Sequence, residues 1–421
     1  IVSRDWSSDV CSSDLMHIAM LSAEYPPRWG GMGSTVYHLS AALAARGHRI
    51  TVITRSGGGF APKIEGVEVL SVGWVPLPMA FTRSYGRSAM RALKHLHARD
   101  QVDIVHLHCP MISWNTKQFE SCRENIAPVV SSLHGSWLGE RDGLVAASKQ
   151  KEAAVWANPN DLAILLTAKH YAGYERAAVR GSSVCVANSE ATKNDFEARY
   201  SPPSDWDCEV VHWGVDTSMF VPLHRDDEDS AATHKGIRSR YGGSRLLLAV
   251  GRLAARKGYG LLLRAFANVH SSDSQIRLVI VGRGHLRSRL QRQAQALGVA
   301  DAVTIESGMP FEELAALFRS ADLVVYPSYY EGQGLIPLEA MASGTPVVTV
   351  DHGPLPEMVD ESVGRLFVMG DPDSMAGAIM AELAAPERLQ EKGEAGRARL
   401  PEEFTFEHDA VRLEDIYERA E

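Results

Sequence analysis

The chain has 421 residues, 45% hydrophobic and 23% charged, with a formal net charge of -9. This length implies two domains, and the composition is that of an ordinary globular protein. The negative charge speaks against a nucleic-acid binder, which needs a basic face. No apolar run approaches the roughly 20 residues that a spanning helix needs.

Residues 1–15 lack apolar periodicity and the long apolar core of a signal peptide. Asp5 to Leu15 resembles the translated read-through of a sequencing adapter, so residues 1–15 are expected to be non-native, with Met16 as the start. The strand pattern begins at His17 to Ser22. A Pro- and Gly-rich loop follows, then a helix expected from a Ser34 cap to Arg46, with Gly47 as its stop. Ile50 to Thr54, Val67 to Ser71, Ile104 to His108, Val129 to Leu133 and Val184 to Ala187 read as further strands. Gly139 to Arg180 has room for two helices, and Val210 to His212 closes the N-terminal domain, residues 16–222. Residues 223–243 turn polar, with the acidic run Asp226 to Asp229, and read as a linker.

The alternation restarts in a second domain, residues 244–403. Strands are expected at Leu246 to Val250, Arg277 to Val281, Val303 to Ile305, Leu323 to Tyr326 and Val347 to Val350. Helices fit Gly258 to Val269, His285 to Leu297, Phe311 to Ser320, Leu335 to Ala342 and Ser374 to Leu383. A C-terminal helix is expected over 404–421. Strands alternating with helices imply an α/β fold with two parallel sheets. Two such halves facing across a cleft can hold one ligand beyond the carboxyl ends of their strands.

Four features carry chemistry. Gly251-Arg252 ends a strand and Lys257-Gly258 opens a helix, so two cations can bracket a diphosphate and stabilise it as it leaves. Glu331 to Glu339 spans a strand-to-helix junction. Gly332 and Gly334 there let backbone amides approach a ligand, and Pro337 suits the first helical position. Glu331 can accept from sugar hydroxyls, and Glu339, expected in the first helical turn, from a ribose. An acid near a helix start is also favoured by the helix dipole alone. Gly30 to Gly33 can place amides against phosphate in a first βα turn, with Gly33 nearest the helix. His134 ends a strand and can position the acceptor or stabilise charge.

Several signals have blander readings. His106 and His108 share one face of a strand; packing or acceptor contact fits them better than a metal site, since no third ligand is visible. Val281 to His285 lacks the third glycine of a dinucleotide fingerprint. Cys11, Cys109, Cys122, Cys185 and Cys208 stand singly, without metal or disulfide spacing, which fits a reducing, cytoplasmic setting. Arg83, Arg87 and Arg91 recur every four residues, with Met90, Leu93 and Leu96 between. Such a basic amphipathic helix suits peripheral contact with an anionic membrane, although a solvated helix face has the same pattern.

With these motifs in place the chain resembles the retaining glycosyltransferases of family 4, which have the two-domain GT-B fold. The carriers are Ser22 to Pro27 with Gly30-Gly31, Leu133 to Gly135, Gly251-Arg252 with Lys257-Gly258, Val281 to Gly284, and Glu331 through Val347. The resemblance implies a catalytic set of His134, Arg252, Lys257 and Glu331. In the donor site, Arg252 and Lys257 bind the diphosphate and Gly33 adds an amide. Glu331 and the backbone of Gly332, Gln333, Gly334 and Leu335 hold the sugar. Glu339 holds the ribose, and the backbone of Met309 meets the base. Gln333 departs from the aromatic residue of many relatives, which leaves the sugar open.

The family reaction needs no metal and no cofactor beyond the nucleotide-diphosphate sugar, and it keeps the anomeric configuration. The acceptor attacks from the face the diphosphate leaves. Carbohydrate, lipid-linked and small-molecule acceptors all remain open. A GT-B phosphorylase- or epimerase-like enzyme is the alternative. A non-catalytic sugar-nucleotide module is disfavoured because His134, Arg252, Lys257 and Glu331 are all present.

Overall fold

The computed structural model describes residues 15–27, 29–57, 59, 61–152, 155–223 and 227–421. The adapter-like segment up to residue 14, with Cys11, lies outside the described residues, as does Asp226 of the acidic run. The first half runs β1 (His17–Leu21), α1 (Gly31–Ala45), β2 (Arg49–Arg55), β3 (Val67–Val72), α2 (Ala80–Arg99), β4 (Ile104–Cys109) and α3 (Thr116–Asn125). It continues with β5 (Val129–Leu133), α4 (Trp137–Lys149), α5 (Pro159–Gly181), β6 (Val184–Ala187), α6 (Glu190–Tyr200) and β7 (Cys208–Val210). The seven strands form one parallel sheet in the order β3-β2-β1-β4-β5-β6-β7. Ile18 of β1 pairs with Ile50 on one side and Ile104 on the other. All five residues of β1 are buried, as expected for a central parallel strand covered on both faces.

The second half opens with α7 (Glu228–Tyr241), then β8 (Arg245–Val250), α8 (Tyr259–Ser272), β9 (Ile276–Val281), α9 (Arg287–Ala296), β10 (Val303–Glu306) and α10 (Phe311–Ser320). It continues with β11 (Leu323–Tyr326), α11 (Leu335–Ala342), β12 (Val347–Val350), α12 (Leu355–Met358), β13 (Gly364–Phe367) and α13 (Pro372–Leu383). Two further helices, α14 (Pro386–Glu403) and α15 (Phe406–Ala420), end the chain. The second sheet is parallel in the order β10-β9-β8-β11-β12-β13. Strand order reverses between β1 and β4 and between β8 and β11. Ligands of such sheets bind at these reversal points, outside the strand carboxyl ends.

Several expectations need correction. Helix α1 starts at Gly31, not at a Ser34 cap, because Gly30 takes the extended N-cap conformation and its carbonyl accepts from the Ser34 amide at 2.9 Å. The polar stretch read as a linker carries α7. Asp227 caps it by accepting from the Ser230 amide at 3.1 Å, and Glu228 and Asp229 fill its first turn, where acids oppose the helix dipole. The last strand of the first half ends at Val210, two residues before the expected end. Helix α15 returns to the first sheet. Phe406, Ala410, Leu413, Ile416 and Tyr417 join a core with Ile18, Met20, Ile104 and Val130. In α2, Tyr85, Ala89, Met90, Leu93 and Leu96 are buried against the first sheet, while Arg83, Arg87 and Arg91 are exposed. The apolar side of this helix is therefore core and cannot enter a bilayer.

Candidate active site

The second-sheet reversal point gathers the expected donor residues. Arg252 follows the end of β8, is exposed, and makes no side-chain hydrogen bond or ion pair among the described residues. A short 3-10 turn, Ala255–Lys257, leads into α8. It buries Lys257, whose Nζ bonds to Glu331 Oε1 and donates to Tyr326 Oη at 2.8 Å. Arg256, which sequence reasoning passed over, is the second cation on Glu331: its Nη1 lies 3.6 Å from Oε1. The same guanidinium donates from Nε to Glu140 at 3.0 Å and from Nη1 to the Tyr330 carbonyl at 3.1 Å. Burial alone would raise the Glu331 pKa, but Lys257 and Arg256 outweigh it and hold the carboxyl down at about 2. Burial pulls Lys257 toward its neutral form against the attraction of Glu331. The direct contact with an ionised carboxylate decides in favour of the charged pair.

Helix α11 begins at Leu335 behind Gly334, whose φ of 103° is left-handed. Pro337 is therefore third in the helix rather than first, and Glu339 is fifth, two residues deeper than expected. Glu339 is half-buried and makes no side-chain hydrogen bond among the described residues. Burial raises its pKa to about 8. Gly33 lies in the first turn of α1, and a Cβ on Gly31 would stand 3.8 Å from Leu335 Cδ1. The N-termini of α1 and α11 thus converge, and both present free amides to the cleft. Met309 is half-buried two residues before Phe311, whose ring meets Trp29 of the first half edge-on at 5.2 Å.

His134 follows β5. Its ring stacks on Trp213 at 5.6 Å, and its Nε2 lies 3.0 Å from His108 Nδ1. Burial lowers its pKa to about 3, so the ring is neutral.

The Tyr330 to Gln333 loop is docked on the first half. Tyr330 Oη accepts from the Ser136 amide at 2.6 Å, and its ring occupies the space a Cβ on Gly139 would take, 2.4 Å away. The Gly332 carbonyl accepts from Ser189 Oγ at 2.7 Å and Thr192 Oγ1 at 3.0 Å. A Cβ at Gly332 would stand 2.1 Å from the His134 carbonyl, so only glycine permits this approach. Gln333 is 3% exposed; its Oε1 accepts from the Trp213 amide at 2.9 Å and its Nε2 donates to the Trp213 carbonyl at 2.8 Å. The side chain thus braces Trp213 under His134, while the backbone of Gln333 stays in the loop expected to hold the sugar.

Two parallel-sheet α/β halves, with Arg252, Arg256, Lys257 and Glu331 grouped at the reversal point of the second sheet, have the architecture of a GT-B enzyme. The comparisons agree. A model described as Glycosyltransferase Family 4 matches residues 29–219, and one described as Glycosyl transferases group 1 matches residues 231–399. The chain is 30% identical to the glycogen synthase of Mycobacterium tuberculosis, over 96% of this chain and 94% of that one. It is also 30% identical to the D-inositol 3-phosphate glycosyltransferase of Segniliparus rotundus, over 91% and 85%. Among solved structures, the sucrose-phosphate synthase of Thermosynechococcus elongatus superposes with a TM-score of 0.76 at 22% identity, over 96% of this chain and 98% of that one. The chain belongs to glycosyltransferase family 4 and is a hexosyltransferase that works with nucleotide-sugar donors.

Proposed function

We propose that the protein moves a hexose from a nucleotide-diphosphate donor to an acceptor hydroxyl with retention of configuration and without a metal. The observation that carries this reading is the grouping of unpaired Arg252 with the Lys257–Glu331 pair at one sheet's reversal point. Arg252 and Lys257 take the diphosphate, helped by the amide of Gly33. Glu331 and the amides from Gly332 to Leu335 take the sugar, Glu339 the ribose, and the Met309 backbone the base. The cations favour the separated charges of the transition state more than the ground state. The departing phosphate accepts the acceptor's proton, and His134 borders the reacting carbon.

Catalysis without a metal draws support from this cationic set. The acceptor is a carbohydrate, a lipid-linked group or a small molecule. The exposed basic edge of α2 supports peripheral contact with an anionic surface at the cytoplasmic membrane; no helix among the described residues is long and apolar enough to cross one.

The test is a screen of UDP-, ADP- and GDP-sugars with and without EDTA. Release of nucleoside diphosphate should survive EDTA and vanish in Arg252→Ala. Failure to bind any nucleotide sinks the reading, whereas turnover only with inorganic phosphate as acceptor favours a phosphorylase.

A further inference from the structure

Three histidines run inward from the cleft. His134 faces His108 at 3.0 Å, and the His108 ring stacks on His106 at 4.4 Å. His106 is held at both nitrogens, by Ser132 Oγ at 2.6 Å and by Tyr417 Oη of α15 at 2.7 Å. His108 is fully buried, and its Nε2 has no partner. A proton on that Nε2 would bury an orphan N–H, while an unfilled acceptor lone pair is better tolerated in a core. The proton of neutral His108 therefore belongs on Nδ1, where it points at His134 Nε2. That nitrogen must then accept, and a neutral imidazole carries its one proton on the other nitrogen. His134 Nδ1 makes no hydrogen bond among the described residues, and it is not among the buried atoms left without a partner.

We propose that His108 sets the tautomer of His134, so that His134 meets the substrates as an Nδ1–H hydrogen-bond donor and not as a proton acceptor. His108 is a positioning residue; His106 and Tyr417 hold its ring from behind, which ties the C-terminal helix to the reacting end of the cleft. The inference rests on the placing of His134 in the active site. It also fits that reading: a histidine that donates cannot take the acceptor's proton, which leaves that task to the departing phosphate.

Long-range 1H–15N spectra of histidine-labelled protein test the tautomer without any substrate, with peaks assigned through His134→Gln and His108→Asn. The native protein should show His134 protonated at Nδ1 and bare at Nε2. An Asn amide can still donate from the same place, so His108→Asn should keep this tautomer and most of kcat. His108→Leu should mix the tautomers and lower kcat by roughly tenfold, with nucleotide binding unchanged. A protonated Nε2 on His134 in the native protein overturns the proposal, and so does equal activity in the Leu and Asn variants. If His108→Leu fails to fold, the native spectrum decides alone. Loss of nucleotide binding would instead count against the site assignment.

Discussion

Glu339 offers the sharpest test of the donor pocket. Burial lifts its pKa from the ordinary 4.5 to about 8, so at pH 7 about nine molecules in ten carry the proton. Ribose hydroxyls donate best to a carboxylate, so a bound nucleotide favours the ionised form and draws the pKa down. Binding at pH 7 should therefore release up to about 0.9 proton per site, and affinity should rise by up to about tenfold per pH unit from 6 toward 8, then level. In the free protein the sign is opposite. The folded state holds the proton more tightly than the unfolded chain, so this group's contribution to stability falls as pH rises from 4.5 through 8. The assay is titration calorimetry with an intact nucleotide sugar, whose phosphates carry no proton near neutrality, in two buffers of different ionisation enthalpy. Glu339→Gln should abolish the buffer dependence and weaken binding by about 1.5–3 kcal/mol, the range for hydrogen bonds to a charged group. Equal heats in both buffers for the native protein, or an unchanged buffer dependence in Glu339→Gln, would refute the assignment of Glu339 to the ribose.

Glu331→Gln should cost about 3–5 kcal/mol of stability at neutral pH, the range for removing one partner of a buried ion pair, because it leaves Lys257 and Arg256 without their carboxylate. The native stabilisation is complete above about pH 4.5 and disappears as pH falls through 2. Urea melts of the two proteins should therefore converge on acidification, and a constant gap would refute the pairing. For the basic edge of α2, reversing Arg83, Arg87 and Arg91 to Glu should remove at least about 3 kcal/mol of affinity for anionic vesicles, at about 1 kcal/mol per basic residue. Co-sedimentation reads this, and native protein that stays in the supernatant, or binds neutral vesicles equally, removes the membrane reading.

The strands were legible because parallel strands buried on both faces read as unbroken apolar runs; Val129–Leu133 and Leu323–Tyr326 stand where expected. Helices with a strong apolar stripe were equally plain, as at Phe311–Ser320. Elements with little apolar signal were missed. Helix α7 buries no residue, α14 is largely charged, and β13 has only four residues. In the site, local motifs placed Arg252 and Lys257 at one strand-to-helix junction and Glu331 at another. Arg256 gave no signal of its own, since its role comes from Glu140, 116 residues away. The bracing by the Gln333 side chain gave no signal either, because its partner, the Trp213 backbone, is 120 residues off and has no sequence signature.

The same long-range logic joins the two halves through their helix ends. The N-cap of α8, Gly258, offers no side chain. Glu152 from the first half replaces it, accepting from the Gly260 amide at 2.8 Å. In return Glu357 of the second half accepts from the Glu190 and Ala191 amides at the start of α6, at 2.9 and 2.8 Å. Each half thus completes a helix of the other, and each cap adjoins a loop of the site: Lys257 lies two residues before α8, and Ser189, the N-cap of α6, donates to the Gly332 carbonyl. A cap is worth about 1 kcal/mol, so the pair together is small beside the binding energy of a nucleotide sugar. Lys257 and Gly332, both expected in the donor site, are thus placed by contacts between the halves and not by either half alone.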